Sequence, residues 1–336
     1  MKKTKYTLIL ALITTILIIT QTGCKREGWS VTETNYMLDT MCTITIYEMK
    51  EGGEEEAKDA IDKAYDLCSK LEEKLSRTKE GSDISKLNKA GGWVKVSDDT
   101  LEVVKSGIRY SKISGGVFDI TIGGLTELWD FHSENPILPD DKDLRNAVGH
   151  VSYKNITING NKLRLKDPKT KIDLGGIAKG YIADRMVDLL EKEGVTSGIV
   201  NLGGNVVCIG GKPGDEDFNI GVEAPFSDGK ELIGSLKVKD KTLVTSGVYE
   251  RSFDLNGKNY HHILSTATGY PVETDLDAVT LVADKGHSMD IDALSTICLI
   301  KGAEKGMKFI EKMKGIEAIF ILSDGTVKNT SGIELN

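Results

Sequence analysis

Hydrophobic and polar positions follow strand or helix spacing along most of the chain. In TMCTITIY, residues 40–47, apolar residues alternate with threonines, which predicts a half-buried strand. Residues 54–75 place apolar side chains every three or four positions, which predicts a long amphipathic helix. A second helix is predicted over residues 98–114, with Ser97 as N-cap and Gly115 as the stop.

The second half of the chain mixes hairpin and helix patterns. NITINGNKLRLK predicts a hairpin turning at Asn159-Gly160, and SFDLNGKNYHHIL predicts another turning at Asn256-Gly257. Further helices are predicted over 178–194, 288–300 and 303–314, and strands over 278–283 and 317–322. Because strands and helices do not alternate regularly, we predict an α+β fold, built as a single compact unit with two lobes.

The N-terminus has the pattern of an export signal. Three lysines precede an apolar run over residues 8–19, and a Gly-Cys pair ends at Cys24. This resembles a bacterial lipobox, with Gln21 departing from the usual Leu, and predicts lipidation of Cys24. An uncleaved N-terminal anchor is the alternative, and both place the folded part outside the cytoplasmic membrane. The predicted boundaries are a signal peptide over 1–23, a tether over 24–34 and one domain over 35–336.

Charge and cysteine content exclude two classes of function. Removing the signal peptide, with its three lysines, changes the formal net charge from -8 to about -11. An acidic surface repels phosphate backbones, so we expect no nucleic-acid partner. Apart from Cys24, the chain has four cysteines, which are widely spaced and lack a C-x-x-C pair. This predicts buried thiols rather than a disulfide framework or a zinc site.

KIDLGGIAKGYIAD, residues 171–184, has the composition of an anion-binding turn. Its glycines and Lys179 do not have the spacing of a P-loop or of a dinucleotide fingerprint. The Gly175-Gly176 pair still allows close approach of backbone to a ligand, and a helix N-terminus follows it. The alternative is a tight strand-to-helix turn with a solvated lysine.

Three other segments carry candidate chemistry. Polar groups beside aromatics in the glycine-rich SGGVFDITIGGLTELW, residues 114–129, suit a flat heteroaromatic ligand. IVNLGGNVVCIGG, residues 199–211, predicts a strand, a glycine turn and a strand, with a plain hairpin as the alternative. TSGVYERSF, residues 245–253, concentrates Ser246, Tyr249 and Arg251.

A carboxylate and a hydroxyl share one face of the predicted helix over 288–300. Asp292 and Thr296 are four residues apart, and their oxygens suit a hard cation such as Mg²⁺. Asp290 points elsewhere on a regular helix and is predicted to cap its N-terminus or to support the site. Surface positions for Asp292 and Thr296 are the alternative.

Together these segments resemble the ApbE family of flavin transferases. The matching pieces, in the family's order, are LDT (38–40), SDISKLN (82–88), GGVFDITIGGLTELW, DLGGIAKGYIAD, VNLGGN, SGVYER, HHIL with TGYP, and DALST. They cover nearly all of the chain after the signal peptide. Two departures are Ser265-Thr266, where the family commonly has Asp-Pro, and LDT, where many members have Met-Gly-Thr.

The resemblance implies a specific reaction and fold. The family's enzymes use Mg²⁺ to split FAD at its pyrophosphate, join FMN through a phosphoester to Thr or Ser of exported or membrane redox proteins, and release AMP. The implied fold is related to the tunnelling fold, with FAD bound between lobes. Two alternatives stay open: an FAD pyrophosphatase that gives FMN and AMP, and a non-catalytic flavin-binding lipoprotein, which has no need of a metal site or a base.

The resemblance also assigns site residues. It implies FAD contacts for Thr40, Met41, Phe118, Asp119, Thr121, Asp173, Lys179, Ser246, Tyr249, Arg251, His262 and Ile263. It implies a metal site for Mg²⁺, or Mn²⁺ in its place, formed by Asp292, Thr296 and a backbone carbonyl near Gly176. His262 would be the base or orienting group for the acceptor hydroxyl. His261 and His262 are adjacent on a predicted strand and face opposite sides, so only one can serve.

Overall fold

The computed structural model describes residues 28–129, 131, 136–227 and 229–336. The predicted signal peptide and Cys24 lie outside these residues and stay predictions. The helices are α1 (Glu54–Leu75), α2 (Asp83–Lys89), α3 (Asp98–Ile113), α4 (Gly123–Thr126), α5 (Asp141–Val148), α6 (Ala178–Lys192), α7 (Ser288–Lys301) and α8 (Ala303–Ile310). The strands are β1 (Val31–Met37), β2 (Thr40–Met49), β3 (Val94–Lys95), β4 (Ile156–Asn159), β5 (Lys162–Leu165), β6 (Val195–Leu202), β7 (Asn205–Ile209), β8 (Phe218–Glu223), β9 (Leu232–Val238), β10 (Lys241–Gly247), β11 (Ser252–Leu255), β12 (Lys258–His261), β13 (Leu276–Asp284), β14 (Ile316–Leu322) and β15 (Val327–Asn329).

An antiparallel sheet forms the centre of the molecule. Its strand order is β1-β2-β6-β7-β10-β13-β14-β15, and each neighbouring pair is antiparallel. Smaller sheets are formed by β3-β5-β4, by β8-β9 and by β11-β12. Helices and hairpins are thus mixed within one compact unit, and the predicted α+β class is confirmed. The relation to the tunnelling fold stays a prediction.

The two faces of the central sheet are covered differently. On β13, Val279 and Leu281 belong to the main core with the helices, whereas Ala278 and Val282 belong to a second cluster with the β8–β9 hairpin. This division follows from the alternation of side chains along a strand. The helix α7 packs against β10 and β13. Most of its residues are buried, which agrees with its having apolar residues on nearly every side.

Most predicted elements are confirmed, with small corrections at their ends. The Ser97 hydroxyl accepts from Thr100 N and caps α3, as predicted. The helix predicted over 303–314 ends earlier, at Ile310, because the chain must turn before it enters β14. The first predicted hairpin turns one residue later than expected, because Asn159 pairs with Lys162.

The cysteine prediction is confirmed for the described part of the chain. Cys42, Cys68, Cys208 and Cys298 are free and buried, and burial raises the pKa of the Cys42 thiol to about 11. Such thiols are inert structural residues. Within the described ranges, no helix is both long and apolar enough to cross a membrane.

Candidate active site

The floor of the site is the crossing of α6 and α7. Gly180, in the first turn of α6, has no room for a side chain, because a Cβ there would lie 2.3 Å from the Ser288 carbonyl oxygen. The close crossing lets Gly180 N–H donate to Asp292 Oδ2 at 2.9 Å. Asp292 is only 3% exposed, which removes the surface position considered for it from sequence. Burial raises the pKa of the Asp292 carboxyl, and the Lys179 charge opposes this shift.

The helix that carries Asp292 is capped from α6. Asp184 accepts from Ser288 N at 3.1 Å and from Met289 N at 3.0 Å, and burial raises its pKa to about 6. Of the two roles predicted for Asp290, the capping role is wrong, because Asp184 accepts from these backbone N–H groups, and support of the site stays a prediction. The Asp290 carboxylate accepts from Tyr110 Oη at 2.6 Å and from Arg109 at 2.5 Å.

Gly176 lies between Thr296, a predicted metal ligand, and Phe118, a predicted FAD contact. A Cβ on Gly176 would lie 3.1 Å from Phe118 Cε2 and 3.6 Å from Thr296 Oγ1. The glycine turn, the half-buried Thr296 and the Phe118 ring therefore meet at one point, and their roles toward metal and FAD stay predictions. Because Asp292 is one helical turn from Thr296 on α7, its carboxylate belongs to the same face.

Lys179 connects the floor to the neighbouring turns. Its Nζ donates to the Gly203 carbonyl at 3.4 Å, and its charge acts on Asp292 and His262. Gly203 has φ +58° and is so close to Thr40 that a Cβ would lie 2.2 Å from the threonine hydroxyl. Lys179 is therefore half-buried at the centre of the site. It is not the solvated lysine that the sequence left as an alternative.

The histidine pair divides as predicted. His261 is buried, with Nε2 3.2 Å from the Val272 carbonyl. His262 follows β12, and its Nδ1 lies 3.3 Å from the Arg251 carbonyl. A carbonyl can only accept, so His262 carries its proton on Nδ1 and leaves Nε2 as an acceptor. Burial, reinforced by the Arg251 and Lys179 charges, lowers the pKa of His262 to about 3.

Tyr249 packs against the second hydrophobic cluster, on the β8–β9 side of the central sheet, and the FAD contact implied for it stays a prediction. Tyr249 and Phe226 have ring centroids 5.4 Å apart. Phe226 is 59% exposed and has a left-handed backbone with φ 60°, an unusual conformation for a bulky residue. Burial raises the pKa of Tyr249 to about 12. Phe226 had no sequence signal, because it lies in the β8–β9 loop outside every motif.

Both carboxylate oxygens of Asp119 accept hydrogen bonds from protein donors. Oδ1 accepts from Thr121 N at 2.9 Å and from Thr121 Oγ1 at 2.7 Å, and Oδ2 accepts from Tyr153 N at 2.8 Å. Asp119 and Thr121 are both buried. Their observed role is to hold the 114–129 loop in shape, and the FAD contact implied for each stays a prediction.

Asp173 is likewise engaged by protein groups. Its Oδ1 accepts from Gly175 N at 2.8 Å, and its Oδ2 accepts from Thr126 Oγ1 at 2.8 Å and pairs with Arg77 Nε at 2.9 Å. Asp173 thus fixes the start of the glycine turn. Arg77 was missed from sequence, because it lies between the α1 and SDISKLN patterns without a motif of its own.

The remaining predicted residues lie around this centre. The Ser246 hydroxyl is 2.7 Å from that of Ser295, which donates to the Asp292 carbonyl at 2.8 Å, so Ser246 connects β10 to α7. Ile263 is buried, whereas Met41 is 57% exposed at the start of β2.

The loop that departs from the family pattern keeps a turn of its own. Ser265 Oγ accepts from Ala267 N at 3.2 Å and from Thr268 N at 3.3 Å, the kind of turn that an Asp side chain also makes. Thr266 Oγ1 donates to the Gly116 carbonyl at 2.9 Å and ties this loop to the 114–129 loop.

The assembled site combines a lysine at a helix N-terminus, a buried carboxylate, a nearby hydroxyl and a neutral histidine. Together with the α+β fold, this defines a protein with a group of side chains suited to a phosphate-bearing ligand and a divalent cation.

Comparison with known proteins places the chain in a family. The ApbE family profile matches residues 38–320. Similar proteins include FAD:protein FMN transferases from Treponema pallidum, 31% identical over 88% of this chain and 86% of that protein, and from Klebsiella pneumoniae, 34% identical over 77% and 81%. The solved ApbE protein from Thermotoga maritima aligns with a TM-score of 0.82 at 30% identity, over 90% of this chain and 97% of that one. Flavin transferase ApbE from Vibrio cholerae aligns at 0.76 and 26%, over 90% and 98%. The chain belongs to the ApbE family.

Proposed function

We propose that this protein is an FAD:protein FMN transferase. The observation that supports this most strongly is the buried Asp292, held by Gly180 N–H beside Lys179, with Thr296 on the same helix face. A buried carboxylate is retained against its desolvation penalty where a positive partner is supplied. The names of the relatives from Treponema pallidum and Klebsiella pneumoniae agree with this function.

The donor set fits a divalent cation that a substrate helps to hold. The described residues contain no group of three or more His, Cys, Asp or Glu side chains placed to hold a metal. Mg²⁺ commonly binds through one or two carboxylates together with substrate phosphates. Asp292, Thr296 and the Gly176 carbonyl would hold Mg²⁺, with Mn²⁺ as a substitute. When bound, the cation would neutralise negative charge on the pyrophosphate.

The chain's own residues would position the pyrophosphate and deprotonate the acceptor hydroxyl. Lys179 and the N-terminus of α6 attract the pyrophosphate. His262 Nε2 would accept the proton of the acceptor hydroxyl, whose oxygen forms a bond to the FMN phosphorus. The bond from this phosphorus to the bridging oxygen of the pyrophosphate breaks, and AMP leaves with that oxygen. In the ligand-free protein the low pKa of His262 keeps the ring neutral with a lone pair on Nε2, and the negative charge of a bound pyrophosphate would raise that pKa towards the range of an effective base. Phosphoryl transfer depends mainly on this positioning and charge neutralisation.

One incubation tests the proposal and both alternatives. The full-length protein is mixed with FAD, Mg²⁺ and an exported acceptor domain, and products are followed by in-gel flavin fluorescence and chromatography. We expect fluorescent acceptor and AMP in equal amounts. Free FMN and AMP without labelled acceptor would indicate a pyrophosphatase. Intact FAD would refute both enzyme functions and leave a flavin-binding protein.

Export and anchoring complete the proposed role. The signal-like N-terminus and Cys24 support a lipoprotein held on the extracytoplasmic side of the membrane, where it would act on exported or membrane flavoprotein subunits. Labelled palmitate should be incorporated by the wild-type chain and not by Cys24→Ala. Equal incorporation by both would refute the lipid anchor.

A further inference from the structure

One buried amide in the site has no hydrogen-bond partner. Asn205 is the first residue of β7 and is 1% exposed. Within the described part of the chain, neither its Nδ2 nor its Oδ1 makes a hydrogen bond of normal geometry. Buried polar groups are nearly always paired, because an unpaired group loses its contacts with water and gains nothing in return. A partner from outside the protein is the simplest explanation.

The location of Asn205 indicates which partner that is. It follows the Gly203-Gly204 turn, whose Gly203 carbonyl accepts from Lys179, and β7 packs against both α6 and α7. The amide lies close enough to the Asp292 carboxylate to lower its pKa, although the contact falls short of hydrogen-bond geometry. Asn205 therefore lies on the floor of the site, next to the carboxylate proposed to hold the cation.

Other asparagines show what a structural amide looks like in this protein. Asn201, in the same VNLGGN segment, accepts from Gly204 N at 3.2 Å and shapes the turn. Asn88 donates to the Ile172 carbonyl at 2.8 Å and accepts from Ile172 N at 2.7 Å. Asn205 has no such bonds, so a turn-forming or strand-linking role does not account for it.

We propose that Asn205 is a ligand-binding residue of this site. With Nδ2 toward Asp292, Oδ1 is a neutral oxygen donor for a divalent cation that arrives with a pyrophosphate. An amide oxygen suits such a cation, and a neutral donor avoids a second negative charge near the pyrophosphate. This proposal rests on the proposed function, which it deepens by one residue.

The test uses Asn205→Leu in the full-length protein and measures melting temperature with and without Mg²⁺ plus FAD. Leucine has a similar size and no polar atoms, so the ligand-free variant should melt at or above the wild-type temperature. Its stabilisation by Mg²⁺ plus FAD should fall by at least half, with about tenfold weaker Mg²⁺ binding. Asn88→Leu is the matched control, and its ligand-free form should melt several degrees lower. Lower melting of Asn205→Leu with an unchanged ligand shift would overturn the proposal.

Asn205→Asp gives a second, independent result. A carboxylate beside Asp292 should lower the melting temperature without metal, and Mg²⁺ should restore it, so the Mg²⁺-induced shift should exceed that of the wild type. An equal or smaller shift would refute the proposal. The transferase proposal fails separately, if the wild type is stabilised by Mg²⁺ plus FAD yet labels no acceptor.

Discussion

The 114–129 loop and the α6–α7 crossing differ in how their buried polar groups are hydrogen-bonded. In the 114–129 loop, Asp119 has both oxygens occupied by protein donors. At the α6–α7 crossing, Asp292 has a hydrogen bond to Gly180 N–H, and Asn205 beside it has none of normal geometry among the described residues. Both regions are buried and rich in glycine, so burial and composition do not separate them.

The difference indicates which groups shape the site and which remain available to a ligand. A fully paired carboxylate is part of the scaffold, and its removal leaves protein donors unsatisfied. An incompletely paired group lowers the stability of the ligand-free protein and is retained where a ligand completes it. The following changes test this division, from the largest expected effect to the smallest.

Asp292→Asn should abolish most activity without unfolding the protein. The amide keeps the shape of the carboxylate and removes its charge, so FAD turnover should fall by at least about 1,000-fold, by analogy with the loss of one preorganised group elsewhere. Because burial raises the Asp292 pKa, the ligand-free variant should be at least as stable as the wild type in urea.

Asp290→Asn is the matched control for that experiment. It changes the same residue type on the same helix, but its carboxylate faces Arg109 and Tyr110. Turnover should stay within about threefold of the wild type, since the Arg109 side chain that pairs with Asp290 is exposed and such pairs contribute little. Equal losses in the two variants would contradict the assignment of Asp292.

Asp119→Ala should act through stability. It leaves Thr121 N, Thr121 Oγ1 and Tyr153 N without their acceptor, which should lower the free energy of unfolding by about 3 kcal/mol. Urea denaturation measures this. A variant with wild-type stability and weakened FAD binding would instead make Asp119 a direct ligand contact and break the comparison.

His262→Asn should change how stability depends on pH. The unfolded histidine takes up a proton below about pH 6.5, whereas the folded one stays neutral down to about 3. The unfolded state therefore binds more protons in this range, and the wild type loses stability as the pH falls. From pH 7.5 to 5, the ligand-free wild type should lose about 2 kcal/mol more than His262→Asn. Identical losses would show that the ring is not held neutral.

Asp39→Gly should produce a small gain. Leu38 and Asp39 form the turn between β1 and β2 with φ of 55° and 58°, a conformation that glycine adopts without steric strain. The free energy of unfolding should rise by about 0.5 kcal/mol. Asp39→Ala keeps the Cβ and should give no gain, and an equal gain in both variants would exclude backbone strain as the cause.

Much of the fold was accessible from sequence because its signals are local. The spacing of apolar residues predicted α1, α3, α6 and α7 within a few residues, and Asn256-Gly257 marked a hairpin whose two turn residues have φ of 54° and 75°. The site was predicted only through the order of its motifs. No single motif shows that Gly180 and Asp292, 112 residues apart, are hydrogen-bonded.

The errors and omissions in the site share one cause. Asp290 was predicted to cap α7 or to support the site, and the capping is done by Asp184, 104 residues before Ser288. Arg77 and Phe226 had no motif, and each is defined by a partner that is distant in the chain, Asp173 and Tyr249 respectively. Pairings over such distances depend on how helices and loops pack.

The sequence by itself determined the α+β class, the two Asn-Gly hairpin turns to within one residue, and the chemical groups available for catalysis. These depend on local spacing and residue type. Only the tertiary structure decided which polar groups are paired and which are left for a ligand. That distinction separates Asp119 from Asp292 and Asn201 from Asn205. Whether a buried polar group is hydrogen-bonded depends on every element that surrounds the group. A single segment of the sequence therefore cannot predict it.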